Sequence, residues 1–572
     1  MPVDASLRTA TSWVLAAFTA LVPLVFARGA LQPIITPKVV AVLVGGAVLL
    51  GMTVAAMVRA RQVAVPSSPV TITAVLLFVV MLVTATRSEG TWPVLWGPVD
   101  RGSGLLLYLA LLIVLLATPP LLDVVGVRRV IHAMLAAAGV VTAYAALQGI
   151  GVDPLGWRTD FPQVATLGNP NFVSALLGIA VPLAAYTALR AELASRVRVG
   201  AGVLAVAAFA VAAWTGSVQG PIAAGGGLGL LLVVWLVDRG GARARAAAGG
   251  VIALGAVGVV AIVAGLAGVG PASFLATQAA IGPRLFYWEA ALGMLRDASV
   301  LGQGFAMYPS YYRTYRPEGA AEEHGLDLTN DAAHSVPLEM LAQGGILLGL
   351  AYAAFVIAVA FVLARGVLGA SGDRRLLLGG LGGAWLAYQA QSVVSIDVPP
   401  LALWHWVLAG LIVVVAGPVG SWAVPREPTS ARGRAWQQRR GVSQLLGVAL
   451  GAVLTVAALA PLWADHLAGE ASARVEAGDV PGAREAINGA TSVVPGRPDY
   501  WIIAAQAELG MGNEQGALDR FRDAISADPR DWPAAANAGR TADRLDAPEA
   551  DELWEHARAI EPQADEYREE AE

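Results

Sequence analysis

Two segments carry the side chains best suited to group transfer. In "GPRLFYWEAALGMLRD", Arg284 and Trp288 stand four apart, on one face of an expected helix, and in "AHSVPLEMLAQGGILLGL", His334 opens another. A guanidinium offers phosphate oxygens a planar fork of hydrogen bonds, and an imidazole can take or give a proton near neutral pH. Between them, "LGQGFAMYPSYYRTYRPE" adds a glycine turn, Tyr311, Tyr312 and two further cations, Arg313 and Arg316. Nine aromatics fall between Phe274 and Tyr315, five of them among the chain's twelve tyrosines. Such a run reads either as an aromatic belt at a membrane boundary or as a platform for sugar rings with arginines placed for phosphate. His334 by itself reads equally well as an interfacial surface residue.

Other strings are weaker. Arg101 in "WGPVDRGSGLLLYL" stands where an apolar run begins, with Asp100 beside it as a possible neutralising partner. Asn169 and Asn171 in "TLGNPNFVSALLGIAVPL" form a good helix cap, and Asp397 in "SIDVPP" reads as a solvated loop carboxylate. The chain has no cysteine, which removes thiolate nucleophiles, thiolate metal sites and disulfides. No convergent pair of acids of glycosidase type, no metal-ligand spacing, no phosphate-binding glycine loop and no nucleic-acid-binding pattern stands out, so no cofactor and no metal is expected.

The elements that must hold these groups are apolar. Hydrophobic residues make up 56% of the 572 and charged residues only 14%, with a mean hydropathy of +0.61, which places most of the chain in lipid. Thirteen runs are long enough to span a bilayer: 11–27, 36–58, 69–86, 103–122, 129–150, 170–190, 199–216, 219–237, 247–270, 345–364, 376–395, 401–420 and 441–463. The first lacks a small-residue cleavage site and is expected to stay as a transmembrane helix. With the N-terminus inside, the inner segments hold 19 arginines, from Arg8 through Arg59, Arg61 and on to the group Arg426 to Arg440, against Arg28, Lys38, Arg87, Arg101 and Arg158 outside. This asymmetry places a long loop, about 271–344, and the tail, 464–572, on the outer side.

The tail differs in kind. It holds 24 acids and 10 arginines, whereas residues 1–463 hold 19 acids and 28 basic residues. Pro495, Pro529 and Pro562 recur at spacings of 34 and 33, as do Ala483, Ala517 and Ala550, and Ala490, Ala524 and Ala557. Small residues at helix contacts and a proline at each repeat end resemble about three tetratricopeptide repeats. The expected fold is therefore all-α: a polytopic bundle of about 12 to 13 transmembrane helices over 1–463, then a water-soluble helical-repeat domain.

Taken in order, "PKVVAVL", "DRGSGLLLYL", "LGNPNFVSALL", "RLFYWEAALGM", "LGQGFAMYPSYY" and "AHSVPLEMLAQGGILLGL" resemble the landmarks of the bacterial O-antigen ligase and polymerase family, across about residues 10–420. The resemblance implies a multi-pass protein of the inner membrane. It also implies metal-independent glycosyl transfer at the outer leaflet, from a polyprenyl-diphosphate-linked glycan to a sugar hydroxyl of a glycan or glycolipid acceptor. The family's loop arginine falls on Arg284 and its loop histidine on His334. Arg284 would bind the diphosphate, and His334 would engage the acceptor or assist its deprotonation. Many relatives carry Ser-Arg-Gly after the seventh span, whereas this chain reads "TGSVQG", with Val218 and Gln219 at that place; Ser335 replaces the asparagine common after the histidine. The implied substrate-binding set is thus Arg101, Arg313, Arg316 and Gln219, with Trp288, Tyr311 and Tyr312 as aromatic surface. In this reading the tail recruits a protein partner or the acceptor; the alternative is a non-catalytic membrane scaffold or transporter that uses its repeats for envelope-glycan assembly.

Overall fold

The computed structural model describes residues 5–60, 67–157, 161–275, 282–320, 329–417 and 440–563. Arg61, Arg158, His324 and the arginines from Arg426 to Arg439 lie outside these residues. The described chain is helical throughout. Ten helices precede the long loop: α1 (Ala5–Leu24), α2 (Ile35–Ala60), α3 (Pro69–Ala85), the short α4 (Thr91–Trp96), α5 (Leu105–Leu121), α6 (Val124–Gly149), α7 (Pro170–Leu189), α8 (Ser195–Trp214), α9 (Gln219–Arg239) and α10 (Gly241–Leu266). The loop carries α11 (Gly282–Asp297) and α12 (Tyr308–Tyr315). Three helices close the bundle, α13 (Val336–Gly369), α14 (Gly372–Ser392) and α15 (Pro399–Ala416), and α16 (Arg440–Glu476) leads into the tail.

Each expected span coincides with a helix. Among the described residues ten helices are long and apolar enough to cross a membrane, against the 12 to 13 expected; α3 and α5 are shorter apolar helices, α14, on the expected span 376–395, is in neither group, and the protein is a multi-pass membrane protein. Helix α15, apolar all round with Trp404 and Trp406 buried, is the most enclosed, whereas α10 packs along α9 and is otherwise open to its surroundings. Glycine permits close approach: a Cβ on Gly227 or Gly383 would stand 2.5 Å from the other's carbonyl oxygen, so α9 and α14 touch backbone to backbone.

The two ends of the bundle differ. At one end Arg128 and Arg190 pair with Asp373, and Arg375 with Asp238 at 3.1 Å. The other end carries α4, the long loop and the tail. There Asn169 caps α7 by accepting from the Asn171 N–H at 2.8 Å, and Ser88 Oγ donates to the Phe305 carbonyl at 2.9 Å, seating the loop on α3.

The boundary placed at residue 463 falls inside one continuous helix. Helix α16 spans 37 residues, about 55 Å at 1.5 Å per residue, and its last turns bury Ala464, Ala468 and Ala471 in the tail's own core. Beyond it lie α17 (Val480–Val493), α18 (Pro498–Gly510), α19 (Glu514–Ala527), α20 (Trp532–Arg544) and α21 (Ala550–Ile560). The repeating alanines Ala483 and Ala517, and Ala490, Ala524 and Ala557, are buried between these helices. Gly478 and Gly512 both turn at positive φ, and Asp479 and Asn513 cap the helices that follow.

Candidate functional site

Gly345 shapes the site from below. Its φ of +61° breaks the helix between the turn that follows His334 and the membrane-crossing part of α13, and a Cβ there would meet the Val300 backbone at 2.4 Å. Across this break the backbone N–H of Ile346 donates to Ser299 O at 2.8 Å, and that of Gly304 to Gln343 O at 2.8 Å. The segment "LGQGF" is thereby tied to α13, and α11, α12 and the His334 turn form one small core of Ala290, Met294, Tyr308, Tyr312, Ala333 and Ala342.

Within this framework Arg284 and His334 come together. Arg284, on the first turn of α11, is only 5% exposed, and among the described residues it has no carboxylate at ion-pairing distance. Burial lowers its guanidinium to about 10, which still leaves it charged at neutral pH. A buried cation without an anion is costly and is a preformed place for one. His334 is half-buried at φ +49°, an unusual backbone for a non-glycine residue. Its Nδ1 lies 3.2 Å from the Ala332 carbonyl, so a proton on Nδ1 leaves Nε2 as an acceptor. Burial, and then the charge of Arg284, lower the imidazole to about 4, with Asp331 opposing. Tyr287, one turn from Arg284, holds its ring 5.1 Å from that of His334.

Arg101 joins this group, although not with the partner its neighbour suggests. Its Nη2 pairs with Asp331 Oδ1 at 2.7 Å, its guanidinium lies 5.7 Å over the Phe172 ring, and its Nε is buried without a hydrogen-bond partner among the described residues. Asp100 instead accepts from Gln32 Nε2 at 2.8 Å, and burial followed by the nearby Asp331 raises its carboxyl. Gln219 is 4% exposed; its Nε2 donates to Asn171 O at 2.8 Å, while its Oε1 is buried and accepts from no group among the described residues. It lies against the cap of α7, close along the chain to the Phe172 that supports Arg101, and it brings no charge.

The remaining expected residues divide. Tyr312 belongs to the small core, its ring 5.7 Å from Tyr287, and Trp288 has a buried Nε1 without a hydrogen-bond partner among the described residues. Arg313 and Arg316 turn away from the Arg284 and His334 pair towards the tail, where both meet Glu561, at 3.3 and 2.7 Å. Tyr311 also faces the tail: its hydroxyl donates to Glu89 at 3.2 Å and Arg530 lies 3.8 Å over its ring. A dependence of these three residues on a segment some 220 to 250 positions away has no local signature.

Sequence reasoning missed two carboxylates. Asp331 is a member of the cluster, signalled only by its place three residues before His334. Asp397, read as a solvated loop acid, has an enclosed Oδ1 without a hydrogen-bond partner among the described residues and lines a small cavity, with room for about one water, together with Tyr108, Tyr352, Tyr388 and His405. Burial raises its carboxyl to about 7. Among the described residues no group of three His, Cys, Asp or Glu side chains could hold a metal ion.

A protein-family model described as O-Antigen ligase matches residues 203–353, from within α8 to within α13. The matched segment carries Gln219, Arg284, Asp331 and His334. No curated protein matches the chain.

Proposed function

We propose that this protein is a metal-independent glycosyltransferase of the extracytoplasmic face, which ligates or polymerises glycans carried on a polyprenyl diphosphate. The observation that carries this reading is Arg284: a buried guanidinium with no carboxylate at ion-pairing distance among the described residues, beside an imidazole whose Nδ1 faces the Ala332 carbonyl, inside the segment matched by an O-antigen ligase family model.

The chemistry follows from the charges. When the bond between the anomeric carbon and the diphosphate oxygen breaks, the electron pair leaves with the diphosphate, and negative charge grows there. Arg284 meets that charge with a fixed fork of donors that needs no rearrangement. The acceptor hydroxyl attacks the anomeric carbon as its proton passes to His334 Nε2. An imidazole near 4 is a weak base, but a bound diphosphate offsets the cation that lowers it and so strengthens the base when donor is present. Arg101 is the second cation of the cluster, shared with Asp331, and takes the part that Gln219 cannot play. Trp288, half-buried on α11, supplies aromatic surface, while Tyr312, buried on α12, backs the Tyr287 ring from the core.

We read 1–463 as the membrane domain and the tail as tetratricopeptide-like repeats on the outer side of an inner membrane. The buried repeating alanines and the matched turns at Gly478 and Gly512 support that reading. The test is product formation: purified protein given a polyprenyl-diphosphate glycan and a glycan acceptor, with no nucleotide or added metal, should form a new sugar linkage and release polyprenyl diphosphate. Binding of donor without any linkage formed would favour the scaffold instead.

A further inference from the structure

We propose that Glu561, at the end of the last tail helix, is a positioning residue for the His334 and Arg284 site: through Arg313 and Arg316 it clamps α12, which in turn sets the aromatic wall against His334. This inference rests on the glycosyl-transfer reading for its kinetic consequence but not for the clamp itself.

Helix α12 has two committed faces. On one, Tyr308 and Tyr312, four apart, are buried in the core shared with Ala333, the residue before His334. Tyr308 donates its hydroxyl to the Tyr287 carbonyl at 2.9 Å, and the Tyr312 ring lies 5.7 Å from that of Tyr287, which is 5.1 Å from His334. The other face belongs to the tail. Thr314 Oγ1 donates to Ile560 O at 2.8 Å, Arg530 donates to Ser310 O at 3.1 Å and to Thr314 Oγ1 at 2.8 Å, and Gln563 Nε2 donates to Arg316 O at 3.3 Å.

The charges at the centre of this contact are sealed. The Glu561 side chain is fully buried, and those of Arg316 and Arg313 are exposed by 1% and 7%. Ion pairs on a wet surface are worth little, but taking one partner from a sealed group leaves an uncompensated charge that must find water, and the packing opens to admit it. An opening here moves α12, because Arg313 sits on it and Arg316 follows its last turn. The displacement reaches His334 through two ring contacts, Tyr312 to Tyr287 and Tyr287 to His334. The tail is therefore part of the site's construction, and the arginines that seemed placed for a phosphate are spent on holding it.

The test uses the full-length purified protein as wild type, Glu561→Gln and Glu561→Asp, with Thr314→Val as a milder break of the same contact. Hydrogen exchange should quicken about 10-fold or more over residues 308–316 and 329–336 in Glu561→Gln, less in Thr314→Val, and least in Glu561→Asp, which keeps the charge. In the transfer assay, kcat should fall about 10-fold in Glu561→Gln with donor KM changed by no more than about 3-fold, as expected for a misplaced base. The acid limb of its pH profile should also move up, because water reaching His334 relieves the burial that lowers it. Unchanged exchange at 329–336 in Glu561→Gln and Thr314→Val, or quickened exchange with unchanged kcat and pH limb, would overturn the proposal. A wild type that transfers no glycan defeats the enzymatic reading alone; quickened exchange at both segments would still sustain the clamp, and unchanged exchange would remove it.

Discussion

Arg101 and Asp331, 230 residues apart in the chain, meet at 2.7 Å and pin the turn before His334 to the entrance of α5. Both side chains are mostly buried, so the pair anchors the turn as well as balancing charge. Arg101→Ala and Asp331→Ala should each lower transfer about 10-fold, and the double variant should lose little more than the worse single one, because the two act as a unit. A double variant that loses the product of both effects would show that they work independently.

Arg284 should be a liability for folding and an asset for chemistry. Replacing it with methionine, close in length and apolar, removes a buried charge that meets no carboxylate among the described residues. Arg284→Met is expected to raise the unfolding temperature by about 2 °C while abolishing transfer, as read by thermal unfolding and product assay on one preparation. A clear loss of stability would mean that the guanidinium has a structural partner. Arg296→Ala, on the exposed side of the same helix, is the control and should leave both unchanged.

The histidine sets the pH dependence. As a base His334 must be neutral, and with its proton affinity lowered it stays neutral until the pH falls through about 4, so kcat/KM should hold down to that range. In the donor complex the diphosphate offsets Arg284, the proton binds more tightly, and the acid limb of kcat should lie above that of kcat/KM. Arg284→Ala should move the limb of the residual activity up, although not to the ordinary 6.5, because burial, the larger cause of the lowering, remains. Limbs that coincide, and do not move in the variant, would separate His334 from the proton transfer.

How far the chain could be read without its structure follows from the range of the interactions. Spans are local apolar runs, so every one of them fell on a helix, and the tail's period survives as buried Ala490, Ala524 and Ala557. Asp479 and Asn513, also 34 apart, cap successive helices and could have strengthened that pattern. The nearness of Arg284 and His334 was implied by a resemblance rather than by spacing. What no local pattern carries is an ion pair across the fold: Arg101 chose Asp331 over adjacent Asp100, and Arg313 and Arg316 chose Glu561. Asp397 looked wet because it lies between Ser395 and two prolines, yet the bundle closes around its Oδ1.

Sidedness can be checked apart from chemistry. The chain has no cysteine, so single cysteines at Glu318 and Ser526, both exposed, report cleanly. Each should react with an impermeant thiol reagent in intact spheroplasts, as the arginine asymmetry requires. Protection of both until the membrane is broken would invert the map and put the site on the wrong face for an extracytoplasmic transfer.

The central claim is that Arg284 and His334 together transfer a glycan from a lipid diphosphate. The most direct measurement is the rate of linkage formation by purified wild type, Arg284→Ala, Arg284→Lys and His334→Ala, all shown to be inserted and folded, with one polyprenyl-diphosphate glycan and one acceptor. The account predicts a loss of about 10² or more in each alanine variant and a partial recovery in Arg284→Lys, whose ammonium restores charge without the planar fork. Full activity in both alanine variants would contradict it.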